Sequence, residues 1–321
     1  MSNATIGLPA GFRDLLFDES SKRRAVESRL ASVFEREGYG EVSPSGIEYL
    51  DIYARGNQAI KERTFKFLDR DDNLLALRAD FTPAIARIAA GRLQNVAPPI
   101  KIWYSGSVFR KADVNRGRFH EFIQVGAELL GLNSVVRDAE ILNLAMLNLA
   151  ALDIHDVQVH INHAGIFRGI VNALKLDRKG LQLVKSKIDR KDTRGLAARL
   201  ESLGVAQDLR EQMECLSRSV GGMPVLAAAR ASMTNPESRR AIDELAELAS
   251  LLKAWDRNIV FDLTEIDELE YYTGVMFEFF SPNLTSELGR GGRYDSLLRE
   301  FGADMPAVGY SFSMDRLVEL A

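Results

Sequence analysis

One stretch constrains the chain more than any other, Ile100 to Leu130, which reads IKIWYSGSVFRKADVNRGRFHEFIQVGAELL. Apolar residues alternate at Ile100, Ile102 and Tyr104, and again at Phe119, Ile123, Val125, Ala127 and Leu129. Between the two runs lies a polar turn, Lys111 to Arg118, carrying Asn115 and Gly117. Period-two alternation on both sides of a Gly/Asn turn predicts a long antiparallel hairpin. Side chains two residues apart share a strand face. Phe119, Glu121, Ile123, Val125 and Ala127 then point one way, and His120, Phe122, Gln124 and Glu128 the other. Arg110 closes the first strand and Arg118 opens the second, so two guanidinium groups flank the loop. An arginine fork matches phosphate geometry, and such a pair suits a flat phosphate-bearing ligand lying on the sheet. On spacing alone, a sheet with a solvated basic turn is the simpler reading.

Composition bounds the rest. A chain of 321 residues suits one large domain with a smaller one. Its 46% hydrophobic and 27% charged residues are ordinary for a globular chain. A net charge of -4 gives no electrostatic footprint for a nucleic acid. One cysteine, Cys215, excludes an internal disulfide and fits a reducing, cytoplasmic setting. No stretch approaches the length of a membrane span, and no signal-peptide pattern precedes Gly7. Three of the four histidines, His155, His160 and His163, are close in sequence. His160 and His163 fall on opposite faces of a strand with no cysteine nearby, so polar or packing roles are expected and no metal site. No cofactor is expected either.

Along the chain, the turn-rich Gly7–Asp14 leads to a helix from about Ser20 to Glu37, with Ala25, Val26, Leu30, Val33 and Phe34 at helical spacing and Gly38 as its stop. YGEVSPSGIEYLDIY, Tyr39 to Tyr53, is extended and interrupted by Pro44. Residues 65–69 and 74–78 read as two strands about the turn 70–73. Asp80-Phe81-Thr82-Pro83 predicts a helix start with Thr82 as N-cap and Pro83 at N1. A helix over 138–152 and a strand over 157–163 follow. From about Gly165 to Trp255 the pattern turns helical and charged, which reads as an inserted helical subdomain whose charge clusters form a solvated face. Strands return at 258–263 and within DELEYYTGVMFEFF. In LGRGGRYDSLL the glycines allow a close ligand approach, and a tight turn explains them equally well.

Several of these segments together resemble the class II aminoacyl-tRNA synthetases, in the form carried by histidyl-tRNA synthetase. FRKADVNRGRFHEFIQVGAELLG is similar to motif 2, and Tyr39–Tyr53 to motif 1, the dimerisation element. LRADFTPAIAR resembles the segment TRPEGT, with Asp80 at the carboxylate that takes the substrate amino group and Thr82 at its threonine. DELEYYTG resembles the histidine-specific segment, matching at Leu269, Tyr271, Tyr272, Thr273 and Gly274, with Glu270 keeping the charge. PAVGYSFSMDRLVEL resembles motif 3, where Arg316 would lie over the adenine ring. The implied fold is α+β: a class II synthetase-like antiparallel sheet flanked by helices, residues 1–164 and 256–321, with 165–255 inserted.

Two departures from the synthetase pattern set the implied function. Asp267 stands where the synthetase has the arginine that meets the α-phosphate during amino-acid activation, so that charge is reversed. Loss of one such donor costs roughly 10²–10³ in rate, and a carboxylate adds repulsion. Only five residues follow Arg316, so an anticodon-binding domain is expected to be absent. That combination resembles the regulatory subunits of ATP phosphoribosyltransferase, paralogues of histidyl-tRNA synthetase in histidine biosynthesis. The resemblance implies a non-catalytic chain, a self-dimer, and a hetero-oligomer with the short-form catalytic subunit that answers to histidine, with neither tRNA nor membrane as partner. Candidate histidine-binding residues are Asp80, Thr82, Gln124, Glu128, Tyr271 and Tyr272, and Arg110, Arg118 and Arg316 are a nucleotide-pocket remnant. Two alternatives stay open: an amino-acid-activating enzyme that does not act on tRNA, favoured by Arg110 and Arg316, and a synthetase catalytic chain whose anticodon domain is a separate polypeptide.

Overall fold

A computed structural model describes residues 7–56, 58–112, 119–174, 176–189, 192–264 and 272–321. The chain divides into two compact units, one of Met1–Leu132, Leu147–His155 and Ser296–Ala321, the other of Asn133–Met146 and Asp156–Asp295.

The first unit opens with the helix Phe17–Arg36, three residues earlier than its apolar spacing predicts. Val26, Leu30, Val33 and Phe34 form its buried stripe. Gly38 follows with φ +80°, the left-handed position that ends a helix without a Cβ penalty. The expected hairpin is present at full length. Strand Ile100–Phe109 pairs antiparallel with Glu121–Leu130, from Ile100↔Leu130 to Phe109↔Glu121. Gly40–Glu41 adds in parallel beside Ile102 and Trp103. On the other side Ala307–Ser313 pairs antiparallel with Gln124–Leu130. The Met314–Leu320 helix follows at once.

This unit also holds a small antiparallel sheet in which Leu74–Leu77 lies between Ile47–Tyr49 and Lys66–Leu68. Its two faces differ sharply. Ala76 is fully buried, in a small cluster with Leu50, Tyr53 and Ala79; Glu48, opposite Ala76, is buried and accepts from Arg87 Nη2 at 2.6 Å. The register places Ile47, Tyr49, Leu75, Leu77 and Phe67 on the other face. There Ile47 is 45% and Tyr49 57% exposed.

The second unit carries the strand order Gly289–Arg293, Val275–Phe280, Gln158–His163, Ile259–Asp262, Val220–Gly221. Gln158–His163 and Ile259–Asp262 pair in parallel, with Val159 beside Ile259. Parallel neighbours need a crossover, and here it is built from the helices Ala164–Leu174, Arg178–Asp189, Thr193–Ser202, Gln207–Leu216, Met223–Ser232 and Pro236–Leu251. Ala164–Leu174 packs on Pro236–Leu251. A Cβ at Gly169 would collide with the Asn235 and Ser238 side chains, so the glycine lets the second helix start close to the first. Asn235 caps that start, its Oδ1 accepting from Ser238 N at 2.7 Å.

Candidate functional site

In the first unit the hairpin's second strand meets the segment after Leu77. Gln124 and Glu128 are four apart on one strand and so share a face. Each reaches residues 80–82. Gln124 donates its amide N–H to Asp80 Oδ1 at 3.0 Å and accepts from Arg110 Nη2 at 3.1 Å. Arg110 closes the ring by donating Nη2 to Asp80 Oδ1 at 3.1 Å, while its Nε donates to the Ala79 carbonyl at 2.6 Å. Its guanidinium lies 5.3 Å from the Phe122 ring centre.

Glu128 is 1% exposed and accepts the hydroxyls of Thr82 (2.9 Å) and Tyr104 (3.2 Å) on Oε1. It sits directly opposite Gly309 in the sheet register, and any side chain at 309 would overlap its carboxylate. Strand Ala307–Ser313 thus offers a notch that only glycine can leave. Beside it, the fully buried Tyr310 accepts from Asn148 Nδ2 at 2.5 Å, and burial pushes its hydroxyl pKa well up, so it stays neutral.

The structure thus brings together Asp80, Thr82, Gln124, Glu128 and Arg110. Two details differ from the sequence reading, both at Thr82. Phe81, not Thr82, is the residue before the helix Thr82–Arg92, and no side-chain cap forms. Thr82 is spent instead on Glu128, since a charged acceptor makes the stronger hydrogen bond. Arg316 lies in the first turn of Met314–Leu320, two residues after the helix begins, next to an Asp315 that pairs with Arg13 at 2.6 Å. Arg118, Tyr271 and Asp267 lie outside the described residues. Nothing in the local sequence marks Tyr104, Phe81 or Gly309, because their roles depend on partners distant in the chain.

Tyr272 belongs to the second unit. It is buried, and its carbonyl accepts from Arg168 Nη2 at 3.2 Å. A Cβ at Gly292 would lie 2.6 Å from its ring, and one at Gly274 would lie 2.9 Å from Arg293 Cδ. The Thr-Gly and Gly-Gly-Arg-Tyr segments therefore use these two glycines to admit side chains. Arg293, 4% exposed, donates Nε and Nη2 to Asp138 Oδ1 at 2.9 and 2.6 Å and Nη1 to Asp295 Oδ1 at 3.1 Å. Burial pushes Asp138 up to about 6 against the pull of that guanidinium. His163 accepts the Gly165 N–H on Nδ1, which leaves Nε2 to donate to Glu244 Oε2 at 3.0 Å and holds the Glu244 carboxyl below its usual range. His160 lies 3.5 Å from Asp262.

Residues 11–317 match the histidyl-tRNA synthetase family. An ATP phosphoribosyltransferase regulatory subunit of Geobacter metallireducens is 34% identical over 96% of this chain and 72% of its own length. The chain belongs to this family. The regulatory subunit of Carboxydothermus hydrogenoformans is 31% identical over 97% of the chain and 95% of its own length. Among solved structures, an ATP phosphoribosyltransferase regulatory subunit/histidyl-tRNA synthetase from Bacillus halodurans superposes with TM-score 0.90 at 26% identity, covering 98% of this chain and 83% of that one. A histidine–tRNA ligase subunit from Alicyclobacillus acidocaldarius gives 0.79 at 28% identity, covering 100% and 98%. The expected synthetase-like α+β fold is the fold observed.

Proposed function

We infer that the chain is the regulatory subunit of an ATP phosphoribosyltransferase, acting at the first step of histidine biosynthesis with the short-form catalytic subunit. The identity to curated regulatory subunits over nearly the whole chain carries this reading. The partner's site condenses ATP with phosphoribosyl pyrophosphate, and this chain confers activity and feedback by histidine.

On this reading the Asp80–Gln124–Glu128 cluster, with Thr82, is a histidine pocket. Two carboxylates and an amide suit an ammonium, because charge-assisted hydrogen bonds are the strong ones. Arg110 is already turned onto Asp80 and the Ala79 carbonyl, which together with Asp267 favours no amino-acid activation of its own. The net charge of -4 favours no tRNA partner. The uncovered apolar face with Ile47 and Tyr49, inside the Tyr39–Tyr53 segment, supports a self-dimer, since closed symmetric assemblies are the default. Residues 165–255 act as an insert between the paired strands Gln158–His163 and Ile259–Asp262, with 1–164 and 256–321 as the synthetase-like domain.

The deciding experiment mixes the chain with the short catalytic subunit and assays phosphoribosyl transfer with and without histidine. Co-elution, with activity that depends on this chain and falls with histidine, is the expected result. A catalytic chain fully active alone, with no co-elution, overturns the reading. Pyrophosphate exchange at a synthetase-like rate would establish an amino-acid-activating enzyme instead.

A further inference from the structure

Both hydroxyls that fix Glu128 trace back to one arginine. The backbone N–H of Arg78 donates to the Gly46 carbonyl at 2.8 Å, and its carbonyl accepts from Phe109 N–H at 2.8 Å. Its guanidinium donates through Nε to the Ser107 carbonyl and through Nη1 to the Pro44 carbonyl, both at 2.9 Å. The same group lies 4.1 Å over the Phe81 ring. Phe81, fully buried, stacks on Tyr104 with centroids 4.3 Å apart and planes at 7°. Tyr104 then donates to Glu128, and Thr82, next after Phe81, donates to the same oxygen. A Cβ at Gly106 would fall 2.9 Å from Arg78 Nη2 and 3.2 Å from Phe81 Cζ, so a glycine there leaves the pile its room.

We propose that Arg78 is a positioning residue for the Glu128 carboxylate, acting through Phe81 and Tyr104 to aim it and so setting the pocket's ligand affinity without touching a ligand. This deepens, and rests on, the reading of the Asp80–Glu128 cluster as a histidine pocket. Arginine is required because its rigid planar fork serves two carbonyls and a ring face at once. The compact ammonium of lysine cannot do all three.

The test uses the full chain with carboxyl-¹³C glutamate, the Glu128 signal being assigned with Glu128→Gln. Titrations of wild type, Arg78→Lys, Tyr104→Phe and the double variant are compared, alongside histidine calorimetry on each. In Arg78→Lys the Glu128 midpoint moves upward, because weaker hydrogen bonds favour the carboxylate less. Histidine affinity falls about tenfold, as for one charge-assisted bond left unmade. In the Tyr104→Phe background the same change adds much less, since both act on one pathway. If Arg78→Lys does not fold, Gly106→Ala displaces the guanidinium from the other side and gives the same upward shift. An unchanged midpoint, or effects that simply add, assigns Arg78 to packing alone and overturns the proposal. A wild-type chain that binds no histidine removes the pocket reading instead, while the carboxyl titration still decides the role of Arg78.

Discussion

The two units each bury a cluster of charge, and the clusters are built to opposite ends. In the second unit Arg293 spends three nitrogens on Asp138 and Asp295, is 4% exposed, and is walled by Gly274. In the first, Arg110, Asp80 and Gln124 form a ring in which Gln124 is buried while the arginine itself keeps exposure, Arg110 at 22% and Asp80 at 14% of the side chain. A closed cluster of that kind resists change and holds a fold together. An open one can exchange a partner for a ligand. The difference lies in the arginine, buried with three nitrogens paired in one cluster and partly exposed in the other.

The comparison breaks most visibly at Arg293. Arg293→Met leaves Asp138 buried without its counter-ion, and is expected to cost about 3–5 kcal/mol in denaturant unfolding at pH 7. The pH dependence has a definite sign. Asp138 is raised from 3.8 to about 6, so the folded chain holds its proton more tightly than the unfolded one. Its contribution is full below 3.8 and is lost as pH rises through about 6. Without the guanidinium the carboxyl moves further up, so the gap between variant and wild type narrows on going from pH 7 to pH 5. A gap that does not change with pH would mean that the pair is held by packing alone.

Gly309→Ala is the matching insult to the first unit, at the buried Glu128 beside the ring. Its methyl would take the space of the Glu128 carboxylate and approach the Ala127 carbonyl at 2.7 Å. About 1–3 kcal/mol of stability should be lost through forced displacement, with histidine binding lost as well. Retained binding would show that Glu128 is outside the ligand site.

Asp80→Asn should do the reverse of Arg293→Met. Stability changes little, while calorimetry shows histidine affinity down about tenfold or more, the worth of one charge-assisted contact. Equal affinity in both proteins would mark the ring as structural, like the Arg293 cluster. The smallest effect belongs to Glu244→Gln. Its depressed carboxyl stabilises above 4.5 and loses that as pH falls through its folded value. At 38% side-chain exposure, solvent screening limits the acid-stability difference to roughly 0.5 kcal/mol.

How much of this was legible in the sequence follows the range of the interactions. The hairpin is readable because its period, turn and length are all local, and Gln124 and Glu128 share a face for the same reason. Thr82 is misread as a cap, since its true acceptor is 46 positions away. Gly309 is silent as well: a lone glycine in VGYSF carries no sign that a glutamate from another strand will lie across it. The glycines at 274 and 292 read as turn or ligand loop, yet the structure uses both to seat side chains. Asp267, the residue on which the sequence reading turns, lies outside the described residues, so its weight remains that of its charge alone.

The placement of Ala307–Ser313 has a consequence for the chain as it is made. The edge of Gln124–Leu130 that it covers is ready once residue 130 has emerged, and its mate arrives only at residue 307. At about 5–20 residues per second that is a wait of roughly 10–35 s. Throughout it this largely buried strand offers an open row of backbone donors and acceptors. Nascent chains should need a holding chaperone in that interval, and slower translation across the crossover helices should lower the soluble yield.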